Sequence, residues 1–72
     1  MTKGALALKV GSNIRKARKA RNLTIKDLAF NADVEYTQVS RIERGKINTS
    51  MYQLYIISAA LEVNITALFE GV

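Results

Sequence analysis

Apolar side chains recur along this chain at steps of three and four, the period of an amphipathic helix. Leu6, Val10, Ile14 and Ala17 form a first stripe and predict a helix from about Ala5 to Arg21. Gly11 weakens the early part of that helix, and Asn22 is suited to end it in a left-handed turn. A second stripe, Ile25, Leu28, Ala29 and Ala32, follows Thr24-Ile25-Lys26-Asp27. That tetrapeptide is a partial capping box in which Asp replaces the usual Glu or Gln. Ala29 is small enough to let another helix approach. Asp33-Val34-Glu35 has room only for a tight turn. Val39 and Ile42 mark the inner side of a third helix, about Tyr36 to Arg44, which Gly45 closes. After a loop at Lys46–Thr49, Ser50-Met51-Tyr52-Gln53 reads as a full capping box for a fourth helix reaching Leu61, with Leu54, Ile57 and Leu61 inward. Val63-Asn64 turns the chain into a short fifth helix, Ile65 to Glu70. There is no proline, no alternating β-branched run and no repeat, so the expected class is all-α.

Seventy-two residues fit one small domain, 1–72, with a thin core: a chain this short buries only about 60% of its unfolded surface. A hydrophobic content of 49% is too high for a disordered chain. The absence of Cys removes disulfides and thiol nucleophiles, and the absence of His removes the commonest zinc ligand and general base. No catalytic residues, metal or cofactor are therefore expected, and an enzyme is the poorest reading. Lys3 precedes only four apolar residues, too few for a signal-peptide core, and the Ile47–Leu61 stretch is interrupted by polar residues, so no membrane span is expected. The expected location is the cytoplasm.

The net charge of +5 is unevenly placed. Lys3, Lys9, Arg15, Lys16, Arg18, Lys19, Arg21 and Lys26 meet no acid within residues 1–26. Residues 47–72 carry only Glu62 and Glu70. A basic third and an apolar third imply two surfaces with two tasks, the first of them toward a polyanion.

The second and third helices, joined by about three residues, have the spacing of a helix-turn-helix at about 24–44, whose second helix enters the DNA major groove. Three runs carry a resemblance here: Asn13-Ile14-Arg15-Lys16-Ala17-Arg18, Leu23-Thr24-Ile25-Lys26-Asp27-Leu28-Ala29 and Val39-Ser40-Arg41-Ile42-Glu43-Arg44-Gly45, with Leu54 to Leu61 behind them. Over roughly residues 10–70 the chain resembles the Cro/C1-type (XRE family) transcriptional regulators. The resemblance implies a compact five-helix, lambda-repressor-like DNA-binding domain. It also implies a structural ion pair between Arg18 and Glu43. Three positions depart from the family's pattern. Ile25 stands where the family often has a phosphate-touching Gln, Asp33 where it often has Gly, and Glu35 where it usually has a Ser or Thr cap.

On the outer face and leading edge of the third helix, Tyr36, Thr37 and Arg41 match the family's base-contacting positions, and Gln38 joins them as a base-reading candidate. Arg41 suits guanine with both arms, a contact worth about 1–3 kcal/mol of discrimination. Gln38 suits adenine or a phosphate, and Thr37 a thymine methyl or a phosphate. Thr24, Lys26, Ser40, Arg44, Lys46 and Asn48 are the expected phosphate contacts. Arg15, Lys16 and Lys19 are expected to supply only a long-range field.

The fourth helix carries no charge between Met51 and Leu61. Tyr52, Tyr55, Ile56 and Ala59 lie off its core stripe, and Phe69 and Val72 add apolar mass nearby, so about 51–72 is the expected homodimer interface. The expected function is a homodimeric regulator of transcription on a near-palindromic operator in double-stranded DNA, with no small-molecule ligand. Among the family's small stand-alone members, the chain looks most like a restriction–modification controller, consistent with autoregulation. The alternative is an antitoxin-like module whose fourth helix binds a partner protein.

Overall fold

Polar side chains at the helix starts take up backbone amides that have no partner within the helix. In a computed structural model that describes residues 1–72, α1 spans Lys3–Ala20, α2 Ile25–Ala32, α3 Tyr36–Glu43 and α4 Met51–Leu61, followed by a 3-10 helix at Ile65–Phe69. Thr2, Thr24, Ser50 and Asn64 each accept an amide from two or three residues ahead. Such a cap is worth about 1 kcal/mol. α1 begins two residues before the expected Ala5 because Thr2 caps it. At Thr24 both arms of the box form: Asp27 N–H donates to Thr24 Oγ1 at 3.0 Å, and Thr24 N–H donates to Asp27 Oδ2 at 2.9 Å. Asp therefore reaches as well as the longer Glu would. The expected full box at Ser50 forms by one arm only, since the Gln53 side chain turns to Gln38 and Thr49 instead.

The four α-helices end alike, by a left-handed residue that lets the next amide reach back to a free carbonyl. Asn22, Asp33, Gly45 and Glu62 all have φ between 55° and 67°. The returning amides are those of Leu23 to Arg18, Val34 to Ala29, Lys46 to Arg41 and Val63 to Ser58, at 2.9–3.1 Å. Asn and Asp tolerate this region comparatively well. Gly45 is irreplaceable for a second reason: a Cβ there would stand 2.7 Å from the Leu8 side chain.

The fifth element is not the α-helix expected at Ile65–Glu70 but a 3-10 helix of five residues. The Leu68 carbonyl of this helix and that of its C-cap, Glu70, find a partner on α1. The Asn13 amide nitrogen donates to both Leu68 O and Glu70 O at 2.9 Å, clamping this segment to α1.

Ile14, Leu28, Val39, Ile57, Leu61 and Leu68 are wholly enclosed, one or more from every element. α1 packs on α3 and the 3-10 helix, while α2 packs on α3 and α4. Gly11, read from the sequence as a weak point of α1, is a contact point. A Cβ there would lie 2.2 Å from Ile42 O and 2.7 Å from Glu43 O. The last turn of α3 thus presses its carbonyls against the α1 backbone, which requires a residue with no side chain.

Gly11→Ala is accordingly expected to destabilise the fold by about 1–3 kcal/mol, as an overpacked core position does. Gly4→Ala, with nothing within 4 Å, is expected to be neutral or slightly stabilising. Thermal unfolding of the two variants side by side checks this, and equal melting temperatures would contradict the proposed α1–α3 contact.

Candidate nucleic-acid interface

Only Asp33, Val34 and Glu35 separate α2 from α3, so the second helix is set at a fixed angle by the left-handed Asp33. α3 sinks Val39, Ile42 and Glu43 into the fold and leaves Tyr36, Thr37, Arg41 and Arg44 on its exposed side. The three-residue turn and the inward 39/42/43 face together decide which side chains solvent or a ligand can reach.

The anchor of α3 is polar. Arg18 Nε donates to Glu43 Oε2 at 2.7 Å and Arg18 Nη2 to Glu43 Oε1 at 3.0 Å, a two-armed pair across α1 and α3. Arg18 Nη1 donates to Leu23 O at 2.8 Å, which ties the α1–α2 corner to the same guanidinium. The hydrogen bond to Glu43 raises the already high pKa of Arg18, burial opposes that shift, and the charge of Glu43 adds to it. Both side chains are more than nine-tenths buried, so neither is available to DNA bases.

The remaining base-reading candidates separate into two groups. Tyr36, Thr37 and Arg41 are exposed on one helix. Gln38 is half-buried, and its amide donates to Gln53 Oε1 on α4 at 3.0 Å. That bond uses one N–H of the Gln38 amide and leaves its second N–H and its Oε1 unengaged. Of the phosphate candidates, Lys26, Arg44, Lys46 and Asn48 are exposed and Ser40 is half-buried. The Arg44 Nε donates to Ser40 O one turn back at 3.3 Å, which lays its stem along α3. Thr24 is exposed, and its hydroxyl oxygen accepts from Asp27 N–H. The bonds from Thr24 hold the Asp27 carboxyl below the usual carboxylate range. The fold contains two ion pairs, Arg18–Glu43 and the exposed Arg21–Glu62. Arg41, Arg44 and Lys46 thus present uncompensated charge.

On α4, Tyr52 is 73% exposed and Tyr55 59% exposed, with Ala59 also exposed and Ile56 half-buried, and Val72 at the end of the chain is exposed as well. Phe69, grouped with them in the sequence, packs partly against the core. No group of His, Cys, Asp and Glu could hold a metal ion, and no helix is long and apolar enough to cross a membrane.

Sequence reasoning missed three features. Asn13 carried no visible signal, because its two partners are backbone carbonyls 55 and 57 residues away. Gln53 was read as a cap and bonds Gln38 instead. Phe30, 86% exposed, falls outside the Ile25/Leu28/Ala29/Ala32 stripe, so its outward position was readable from the period alone.

Residues 14–68 match the model of the HTH_3 helix-turn-helix family. The control protein C.MunI of a Mycoplasma species is 32% identical over 68 residues, covering 93% of this chain and 92% of that protein. The crystal structure of the restriction–modification controller C.AhdI from Aeromonas hydrophila superposes with a TM-score of 0.88 at 31% identity, covering 90% of this chain and 98% of that one. The controller C.Esp1396I, solved as a tetramer on its natural 35-base-pair operator, gives a TM-score of 0.83 at 35% identity over 90% of this chain and 86% of its own. The chain spans only 50% and 41% of two other curated relatives, the HTH-type transcriptional regulators DdrOP3 of Deinococcus deserti and SlrR of Bacillus subtilis.

Glu43→Ala leaves Arg18 charged and buried with one carbonyl for company. It is expected to cost about 3–5 kcal/mol in urea unfolding. The double variant Arg18→Met, Glu43→Leu removes both charges and is expected to recover most of that loss. A single variant as stable as the unaltered protein would show that the pair contributes little.

Proposed function

This chain belongs to the helix-turn-helix family, and on that footing we propose that it is a non-enzymatic, sequence-specific regulator of transcription that binds double-stranded DNA as a homodimer. The observation that carries the reading is α3 itself. Its inner face is fixed by Val39, Ile42 and the Arg18–Glu43 pair, and its outer face offers Tyr36, Thr37 and Arg41 together. A rigid helix with an exposed Arg and hydroxyl-bearing side chains suits the donor and acceptor code of the major groove.

In this reading residues 1–72 act as one domain of the five-helix, lambda-repressor-like kind, with the 3-10 helix in the fifth place. Arg41 reads a base, flanked by Tyr36 and Thr37. Gln38 steadies α3 on α4 and keeps its oxygen and one N–H for DNA. Lys26, Arg44, Lys46, Asn48, Ser40 and the Thr24 hydroxyl contact phosphates on either side, where charge positions the helix without reading sequence. Exposed Tyr52, Tyr55 and Ala59, with Ile56, form the centre of a two-fold interface, and Phe69 and Val72 lie at its margin. Two copies then meet half-sites about 34–36 Å apart on a near-palindrome. The likeness to controller proteins, one of them solved as a tetramer on its operator, supports a controller-type autoregulator working in the cytoplasm.

Selection of bound sites from random duplexes tests the proposal. Two related half-sites about one helical turn apart are expected, with a log–log salt slope near −5 to −7 for about 6–8 phosphate contacts. Arg41→Ala should relax preference at one position per half-site, while Lys46→Ala should weaken all sequences alike. Sedimentation should find twice the chain mass. A chain that stays monomeric until a foreign protein binds α4 would favour the antitoxin-like reading instead.

A further inference from the structure

α3 packs on α1 and α2, and α4 packs on α2 and the 3-10 helix. Between α3 and α4 themselves the one side-chain hydrogen bond is a carboxamide pair, in which Gln38 Nε2 donates to Gln53 Oε1 at 3.0 Å. The Thr49 hydroxyl donates to the same Gln53 oxygen, so that atom accepts two hydrogen bonds and both its lone pairs are taken. The backbone of Gln53 is fixed as well, because its N–H donates to Ser50 Oγ at 3.0 Å in the cap of α4. Gln53 is thus held at both ends, and Gln38 docks on a rigid acceptor. Both glutamines are half-buried. Gln38 stands three residues before the exposed Arg41, on the same flank of α3.

A glutamine amide without a partner can turn over and exchange its oxygen for its nitrogen. It then offers a base either a donor or an acceptor at the same place and discriminates little. Gln38 is denied that exchange. Turned over, its Oε1 would face Gln53 Oε1, acceptor against acceptor, and the bond would be lost. The Thr49 hydroxyl, by donating to Gln53 Oε1, keeps that oxygen turned toward Gln38. With Nε2 directed to α4, the other arm of the Gln38 amide carries Oε1, and one N–H remains beside it. An acceptor beside a donor complements adenine, which shows its N6 amino group and N7 in the major groove. Cytosine shows only a donor there, and guanine and thymine would meet the oxygen with acceptors.

We propose that Gln53, from α4 and without touching DNA, sets the base preference of Gln38 by fixing its amide in the orientation that reads adenine. The inference rests on the DNA-binding reading and adds to it a positioning residue outside the helix-turn-helix. Gln38 is also ordered before DNA arrives, so it has less freedom to lose on binding. Thr49 has the same task one step further back, since it steadies the oxygen to which Gln38 is bound.

The test is selection of bound sites from random duplexes, run side by side on the unaltered protein and on Gln38→Ala, Gln53→Leu and Gln53→Glu, with thermal unfolding of each. A bidentate adenine contact discriminates by about 5- to 150-fold. Gln38→Ala should abolish such a preference at one position per half-site and so identify that position. Gln53→Leu, close in volume but with no acceptor, should flatten the same position and leave the others selected. Gln53→Glu should keep adenine there, because a carboxylate only accepts and holds Gln38 Nε2 in the same way, while its charge lowers affinity for all duplexes alike. A bond with a merely structural role would change the melting temperature or the overall affinity without singling out one position. Gln53→Leu retaining adenine at that position, or blurring every position equally, would overturn the proposal and leave the regulator reading intact. So would loss of adenine in Gln53→Glu, or a Gln38→Ala variant that changes no position. An unaltered protein that selects no sequence would overturn the regulator reading and the proposal with it.

Discussion

The Arg18–Glu43 pair is the contact on which the geometry of this protein depends. It joins the longest helix to the exposed one, and through Leu23 O it also fixes the corner that launches α2. Three donor groups of one guanidinium thereby orient three segments. Burying two charges carries a large desolvation penalty, offset here because both carboxylate oxygens are bonded and no buried polar side-chain atom lacks a partner. A domain of this size has roughly 4–11 kcal/mol of total stability. The pair therefore matters less as a net source of stability than as a device that leaves α3 one place to sit, because a half-broken pair would consume much of that margin.

The steric counterpart of the pair is Gly11. The pair draws α3 to α1, and the missing side chain sets how near it comes. Val39 and Ile42 then fill the remaining inner face, and the outer face is determined by default: on so short a helix, fixing 39, 42 and 43 leaves 36, 37, 41 and 44 outside. The charge distribution follows a similar logic. The acid-free first third supplies the structural Arg18 and, in the proposed reading, the phosphate contact Lys26, while the proposed base-reading residues Tyr36, Thr37, Gln38 and Arg41 come from the nearly neutral middle of the chain.

Much of this was legible before any coordinates. The stripes at Leu6/Val10/Ile14 and Leu54/Ile57/Leu61, the caps at Thr24 and Ser50 and the left-handed ends at Asn22, Asp33 and Gly45 are local signals, each set by neighbours within a few residues. The exposed face of α3 was equally legible, since one helical period places Tyr36, Thr37 and Arg41 opposite Val39 and Ile42. What escaped were contacts between distant segments. Gly11 reads as a flaw until the α3 carbonyls are seen against it. Nothing near Asn13 in the chain announces its bonds to the carbonyls of Leu68 and Glu70. Gln38 reads as free until Gln53 claims it. The fifth element falls where the pattern put it, but over Ile65–Phe69 as a 3-10 helix rather than the expected α-helix.

The central claim is that DNA meets the face built on α3 and the start of α2, while the apolar side of α4 remains with the protein. Titration of the isotope-labelled protein with a selected duplex, followed through its backbone amide resonances, tests this most directly. Shifts are expected to concentrate at residues 24–26, 36–41 and 44–48, with the solvent-side amides of α4 unmoved. The largest shifts falling on α4 around Tyr52 and Tyr55, with α3 silent, would contradict the account.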